Sequence, residues 1–312
     1  MVTPEAPWCP AAWQAHLQAV APGLAVPHVS PDTAEASGAH VRHDGWQLLL
    51  GARRGKLHAH RGDHREDAGQ IVTFSNGWCV AVADGAGSAS WSRLGASIAT
   101  HVVTRALREL LLHGRAPVSM LAPALRTAAQ QTHDAMRDFV SRTDTAPRDH
   151  RTTLLVAARL GDQVGLMQVG DGAIAWLHAD GRASQPLAGH AGDFSGEVSH
   201  FLPDDGAVQE LIASIVVTDA SDCAALLVAS DGIEDPWYPF AKHAVPLYAQ
   251  MVRGVSPDVP TPAGVTPVFH QAVLSAADPV HALTEWLAFE KRGENDDRTL
   301  CIVRQEALSW GA

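Results

Sequence analysis

The chain has 312 residues, 46% hydrophobic and 18% charged, so it can build one large core with extensions or two smaller ones, and bulk disorder is excluded. Lys and Arg number 23 against 34 Asp and Glu, a net charge of −11 that argues against a nucleic-acid backbone as the main partner and suits a site gathering carboxylates around cations. No apolar run approaches the roughly 20 residues of a membrane span, Met1 to Pro10 has no leader-like pattern, and Cys9, Cys79, Cys223 and Cys301 form no C-x-x-C, so a reducing cytoplasm is the expected setting.

Proline marks the organisation. Of 19 prolines, six lie in residues 1–37 and eight in residues 236–280. Residues 1–37 read as a Pro/Ala-rich extension, with one short helix over 11–21 held down by Trp8 or Trp13. The main domain is expected over 38–306, with its first strand over 46–52 (WQLLLGA) and a short tail at 307–312. Residues 70–75 and 78–83 are β-type runs joined by Asn76-Gly77, a strong hairpin signal because both residues accept φ > 0. Residues 92–112 carry apolar side chains at helical spacing, with Gly114 placed to end the helix. A second helix is expected over 119–141, with Pro123 in its first turn.

Strands then return over 152–160 and 163–169 around Gly161-Asp162, and over 173–179 before Asp180-Gly181. Residues 184–208 form a Gly/Asp/Ser-rich loop of unusual length, expected to be a flap beside the site. Further strands are expected over 211–218 and 224–229. Residues 236–280 read as a Pro-rich insertion that packs through its aromatic residues. A helix over 281–291 and a last strand over 299–303 close the chain. Hairpin-linked strands with segregated helices predict an α+β layered domain with antiparallel sheets.

Asp-Gly occurs six times, at 44, 84, 171, 180, 205 and 231, and turn chemistry is its default meaning. Asp180 fits that meaning, and Asp44 and Asp205 follow no strong strand pattern. Asp84 ends VAVAD, Asp231 ends LLVASD and Asp171 ends GLMQVGD, and none of these is followed by a simple returning turn. Glu66-Asp67 precedes the first hairpin, and Asn295-Asp296-Asp297 precedes the last strand. Five acidic sites at strand edges, without Cys or paired His, make an oxygen-only donor set suited to Mg²⁺ or Mn²⁺.

These segments bear a family likeness. HREDAG (64–69), VAVADGAGS (80–88), RTTLLVA (151–157), QVGDGAIAWL (168–177), LLVASDGIED (226–235) and NDDRTLCIV (295–303) resemble, in order and spacing over 46–304, the metal-dependent type-2C protein phosphatases of bacteria. The resemblance implies a four-layer α-β-β-α sandwich, two mainly antiparallel sheets flanked by helix pairs. It implies two Mg²⁺ or Mn²⁺ ions at one sandwich edge, with a third, weaker site. Asp84 would bridge the ions and the Gly85 carbonyl would bind one; Asp231 and Asp296 would hold the other. Glu66 and Asp67 would act through waters, and Asp171 would serve the third site. The implied activity is hydrolysis of phosphoserine or phosphothreonine on a protein substrate, opposing a serine/threonine kinase, with neither nucleic acid nor membrane as partner. Such paired ions can activate one water at neutral pH, which suits one of the slowest uncatalysed hydrolyses.

Two positions depart from the pattern. Ala86 stands where eukaryotic members carry a His proposed as general acid, and Gly62 stands where a phosphate-binding Arg is usual. Arg61 or Arg65 is the candidate replacement for the Arg, and His60 or His64 for the acid. The alternative reading is a catalytically silent phosphoprotein-binding module, for which both departures would be signs. His58-Ala59-His60 would place two imidazoles on one strand face, with solvated histidine as the default among 17. Ser230 lacks a G-x-S-x-G frame, so a hydrolase triad is not expected there.

Overall fold

The computed structural model describes residues 7–26, 35–112, 116–187, 200–308 and 310. In chain order come α1 (Gln14–Val20), β1 (Ala36–His43), β2 (Trp46–Arg53), α2 (Lys56–Arg61), β3 (Ala68–Phe74) and β4 (Gly77–Ala83). Then follow α3 (Ser92–Leu111), α4 (Leu121–Thr143), β5 (Leu154–Leu160), β6 (Gln163–Val169), β7 (Ala173–His178), β8 (Ala183–Ser184) and α5 (Ala207–Ala213). The chain ends with β9 (Val216–Asp219), β10 (Cys223–Ala229), α6 (Asp231–Glu234), α7 (Phe240–Arg253), β11 (Val265–Thr266), α8 (Pro279–Trp286), β12 (Glu290–Lys291) and β13 (Arg298–Gln305).

Two sheets stack, in the orders β1-β2-β13-β10-β7-β8 and β3-β4-β5-β6-β9, and every pairing in them is antiparallel. Strand alternation assigns the layers. In β4, Trp78, Val80 and Val82 face the other sheet, while Cys79, Ala81 and Ala83 face α3 and α4. In β10, Leu226 and Val228 fill the inter-sheet layer, while Ala225, Leu227 and Ala229 face α7 and α8. The result is the α-β-β-α sandwich expected from the chain, with α1 added to the α3–α4 layer through Leu17.

Several local expectations are corrected. A strand precedes residue 46: β1 pairs along the whole of β2, and Asp44 and Gly45 turn between them at φ 50° and 76°. As a largely exposed edge strand, β1 carries no apolar alternation to read. Residues 211–218 are not one strand, because α5 takes the first part and β9 only the last. The helix expected over 281–291 ends at Trp286. Residues 236–280 contain a 14-residue helix, α7, that runs through Pro246 and buries Phe240, Leu247, Tyr248 and Met251. Gly114 and residues 188–199 of the expected flap lie outside the described residues; Leu202, at its far end, is buried and pairs with Thr152.

The antiparallel registers set up the site. Ala68 opposes Ala83, and Ala229 opposes both Leu300 and Ala173. The starts of β3, β7 and β13 therefore meet the ends of β4 and β10 at one edge of the sandwich. Asp67, Asp297, Asp84 and Ser230 are the residues just outside those strands, and Asp171 lies two residues before β7.

Candidate metal centre

Asp84 leaves β4 on a backbone held at both ends. Its N–H donates to Thr153 Oγ1 (2.9 Å), and its carbonyl accepts from Thr153 N–H and Thr152 Oγ1 (both 2.8 Å). Gly85 bridges to Thr152, and a Cβ there would stand 2.6 Å from Ser92 Cβ, so glycine is required by close approach. Across the sandwich, Ser230 Oγ donates to Asp67 Oδ2 (2.9 Å) and accepts from Thr299 N–H (3.0 Å). Ser230 is thus a positioning hydroxyl that ties β3 to the β10–β13 pair. Asp171 stands between Gly170 and Gly172, at φ 85° and 86°. A Cβ on Gly172 would lie 2.7 Å from Ala229 O, which keeps this corner against β10.

Asp297 organises the third corner. Its Oδ1 accepts from Gly55 N–H and its Oδ2 from Glu66 N–H, both at 2.6 Å. One buried carboxylate thereby joins α2, the start of β3 and the start of β13. Its neighbour Asp296 is exposed and accepts from Asp297 N–H (2.8 Å).

The electrostatics are those of a self-repelling cluster. Burial, then the charge of Asp231, drives Asp84 well above the usual carboxylate range. Burial, then Asp171 and Asp296, does the same to Asp231. Asp67 rises to about 6 through burial and the nearby Asp297, and Glu66 to about 7 mainly through burial. Asp171 and Asp296 are raised as well, both chiefly by desolvation. The charges of both Asp231 and Asp67 act on Asp84, so the three carboxylates lie together.

A divalent pair fits this donor set. Asp67 Oδ1 and Asp231 Oδ1 are buried with no hydrogen-bond partner, and buried oxygens without partners are costly. The side chains gathered here are carboxylates, oxygen donors that suit Mg²⁺ or Mn²⁺. Among the described residues, the set whose donor atoms all lie within 4.8 Å of one another is His58, Asp296 and Asp297. Asp84, Asp231 and Asp296 share the edge without being gathered that closely.

The remaining candidates divide. Arg61 and His64 line a cavity of about 340 Å³ beside Glu66, together with His58, Gly62, Gly87, Ser88 and Arg93. His60 is exposed on α2. Arg65 donates to Asp67 O (3.1 Å) and Ser37 Oγ (2.9 Å), a bracing role behind β3. His58 corrects the strand reading of His58-Ala59-His60. It lies on a helix, so His58 is buried while His60 is exposed. Arg93 was not anticipated. Its guanidinium is held by Trp8 O (2.9 Å) and Pro7 O (3.0 Å) and packs 4.7 Å from the Trp91 ring. Its pattern in the sequence is only a polar first turn of α3.

The sequence over residues 54–288 matches the family model described as Protein phosphatase 2C. The chain belongs to the protein phosphatase 2C family. Solved structures agree in fold. The serine/threonine phosphatase Stp1 from Staphylococcus aureus is 14% identical, with a TM-score of 0.57 over 85% of this chain and 99% of its own. The S. agalactiae serine/threonine phosphatase is 17% identical, with a TM-score of 0.55 over 83% of this chain and 99% of its own. A bacterial serine phosphatase is 15% identical, with a TM-score of 0.56 over 85% and 98%. No curated protein sequence matches the chain. In this phosphatase-family chain, no described helix is long and apolar enough to cross a membrane.

Proposed function

We propose that this protein hydrolyses phosphoserine or phosphothreonine on a protein substrate, using two Mg²⁺ or Mn²⁺ ions held by the edge carboxylates. The observation that carries the reading is the partnerless, buried Oδ1 atoms of Asp67 and Asp231, whose charges both act on Asp84. When bound, the ions supply an activated water and neutralise charge on the phosphoryl oxygens.

The chain's own residues do the rest. Asp84, the Gly85 carbonyl, Asp231 and Asp296 hold the cations, with Glu66 and Asp67 orienting water and Asp171 serving a third, weaker site. Thr152, Thr153 and Ser230 keep these groups on rigid strand ends, where orientation is worth most. Arg61 and Arg93 line the cavity beside Glu66, and this cationic lining supports a phosphoryl group entering there. His64 lines the same cavity and is the candidate for protonating the leaving alkoxide.

The test is phosphate release from phosphoserine peptides, phosphorylated metabolites and an aryl phosphate, each with Mn²⁺ and with a chelator. Mn²⁺-dependent release with peptides preferred is expected. Tight phosphopeptide binding without any release would favour the silent binding module, for which Ala86 and Gly62 speak. Preference for metabolites would replace the protein substrate.

A further inference from the structure

Helix α2 is docked by its first turn onto the segment that precedes β13. Leu57 N–H donates to Asn295 O (3.1 Å), and Gly55 N–H to Asp297 Oδ1 (2.6 Å). A Cβ at Gly55 would lie 2.4 Å from Asn295 O, so only glycine permits this approach. The docking turns His58 inward, where it is 8% exposed.

His58 Nδ1 lies 3.0 Å from Asp297 Oδ1, and Nε2 lies 3.6 Å from Glu66 Oε2. The ring N–H at Nδ1 is poorly aimed at that oxygen, yet pairing with Asp297 raises the imidazole to about 9, so an ion binding at Nδ1 would displace one proton. Asp296 adds a third donor, and all three atoms lie within 4.8 Å of one another. A separation of 3.0 Å suits neighbouring ligands on one ion held at about 2.1 Å.

We propose that His58, Asp296 and Asp297 form a mixed nitrogen–oxygen cation site at the outer side of the carboxylate cluster, taking a transition ion such as Mn²⁺, Fe²⁺ or Zn²⁺ in preference to Mg²⁺. An imidazole nitrogen favours first-row transition ions, whereas Mg²⁺ keeps oxygen ligands and water. Glu66, facing the other ring nitrogen, orients the imidazole as an outer carboxylate does for a metal-bound histidine. Asp297 keeps a lone pair on Oδ1 beyond the one that Gly55 uses. Asp296 is common to this set and to the all-oxygen centre, so the two are neighbours with different donor chemistry. The site does not depend on the chain being a phosphatase.

Pulsed EPR of the full chain loaded with Mn²⁺ tests it, because a directly bound imidazole couples its ¹⁴N to the electron spin. Nitrogen coupling is expected in the parent and in His60→Gln, and its loss in His58→Gln, along with at least about tenfold weaker Zn²⁺ binding. A parent that binds no Mn²⁺, a bound ion without nitrogen coupling, or coupling that survives His58→Gln would overturn the site. If His58→Gln does not fold, imidazole ¹⁵N NMR of the parent with Zn²⁺ decides: an Nδ1-bound resonance supports the site, and unmoved Nδ1 resonances refute it. Phosphate release is assayed on the same preparations, so an inactive chain with nitrogen coupling rejects only the phosphatase reading.

Discussion

The two ends of the sandwich use the same dipeptide for different purposes. At one end Asp44-Gly45 and Asp180-Gly181 are turns, and their carboxylates point to water and to cations. Asp44 meets Arg159 at 2.6 Å, and Asp180 meets Arg182 at 2.7 Å. At the other end Asp84-Gly85 and Asp231-Gly232 turn inward, and their carboxylates face Asp67, Asp171 and each other under burial. An Asp-Gly pair with its own cation is a turn; one whose neighbours are other buried acids gathers negative charge.

The largest test of that contrast is chemical. Asp84→Asn should lower Mn²⁺-dependent phosphate release by more than the 10–100-fold that loss of an outer-shell partner costs. Asp180→Asn should leave it unchanged. Equal activity in both variants, measured at limiting Mn²⁺, would erase the distinction between the ends.

Glycine should follow the same divide. A Cβ on Gly232 would stand 1.9 Å from the Asp297 carbonyl, whereas at Gly45 nothing lies within 4 Å. Gly232→Ala should therefore cost at least the upper end of the overpacking range, about 3 kcal/mol, by denaturant unfolding. Gly45→Ala carries only the left-handed backbone penalty, about 1 kcal/mol.

The pH dependence has opposite signs at the two ends. Asp67, at about 6, and Glu66, at about 7, sit above their unfolded values, near 4. Their contribution to folding is complete below the unfolded value and is lost as pH rises through the folded one. The melting temperature of the chelated protein should fall between about pH 4 and pH 7, and Mg²⁺ or Mn²⁺ should restore it. Asp180 and Asp219 are lowered by hydrogen bonds from Arg182 and Ser221, so their contribution is present above pH 4 or so and is lost in acid. A flat profile from pH 4 to 7 without divalent ions would contradict the reading of the edge. Smallest of all, Asp44→Asn removes a half-exposed pair with Arg159 and should cost under about 1 kcal/mol.

What could be read in the sequence follows from where the information is local. Strand-end acids such as Asp84 and Asp231 adjoin apolar runs that become β4 and β10, so both the strand and its terminal carboxylate were legible. The layered fold was legible for the same reason, because hairpin turns at Asn76 and Gly161 separate buried runs. Helix α2 was not: six residues rich in His and Arg carry no helical period, and His58 becomes buried only by docking on residues 295–297. The length of β1 was hidden by its exposure, and α7 by Pro246, which a buried face of Phe240, Leu247 and Met251 outweighs. Ser230 and Asp297 gave no signal beyond adjacency, since their partners lie 69 to 242 residues away.

The most direct test of the carboxylate edge is titration calorimetry of the metal-free chain with Mn²⁺, beside Asp84→Asn. At least two Mn²⁺ per parent chain are expected, and a variant that keeps its fold while its tightest binding weakens strongly. No Mn²⁺ binding by the parent, or identical isotherms for the two proteins, would contradict it.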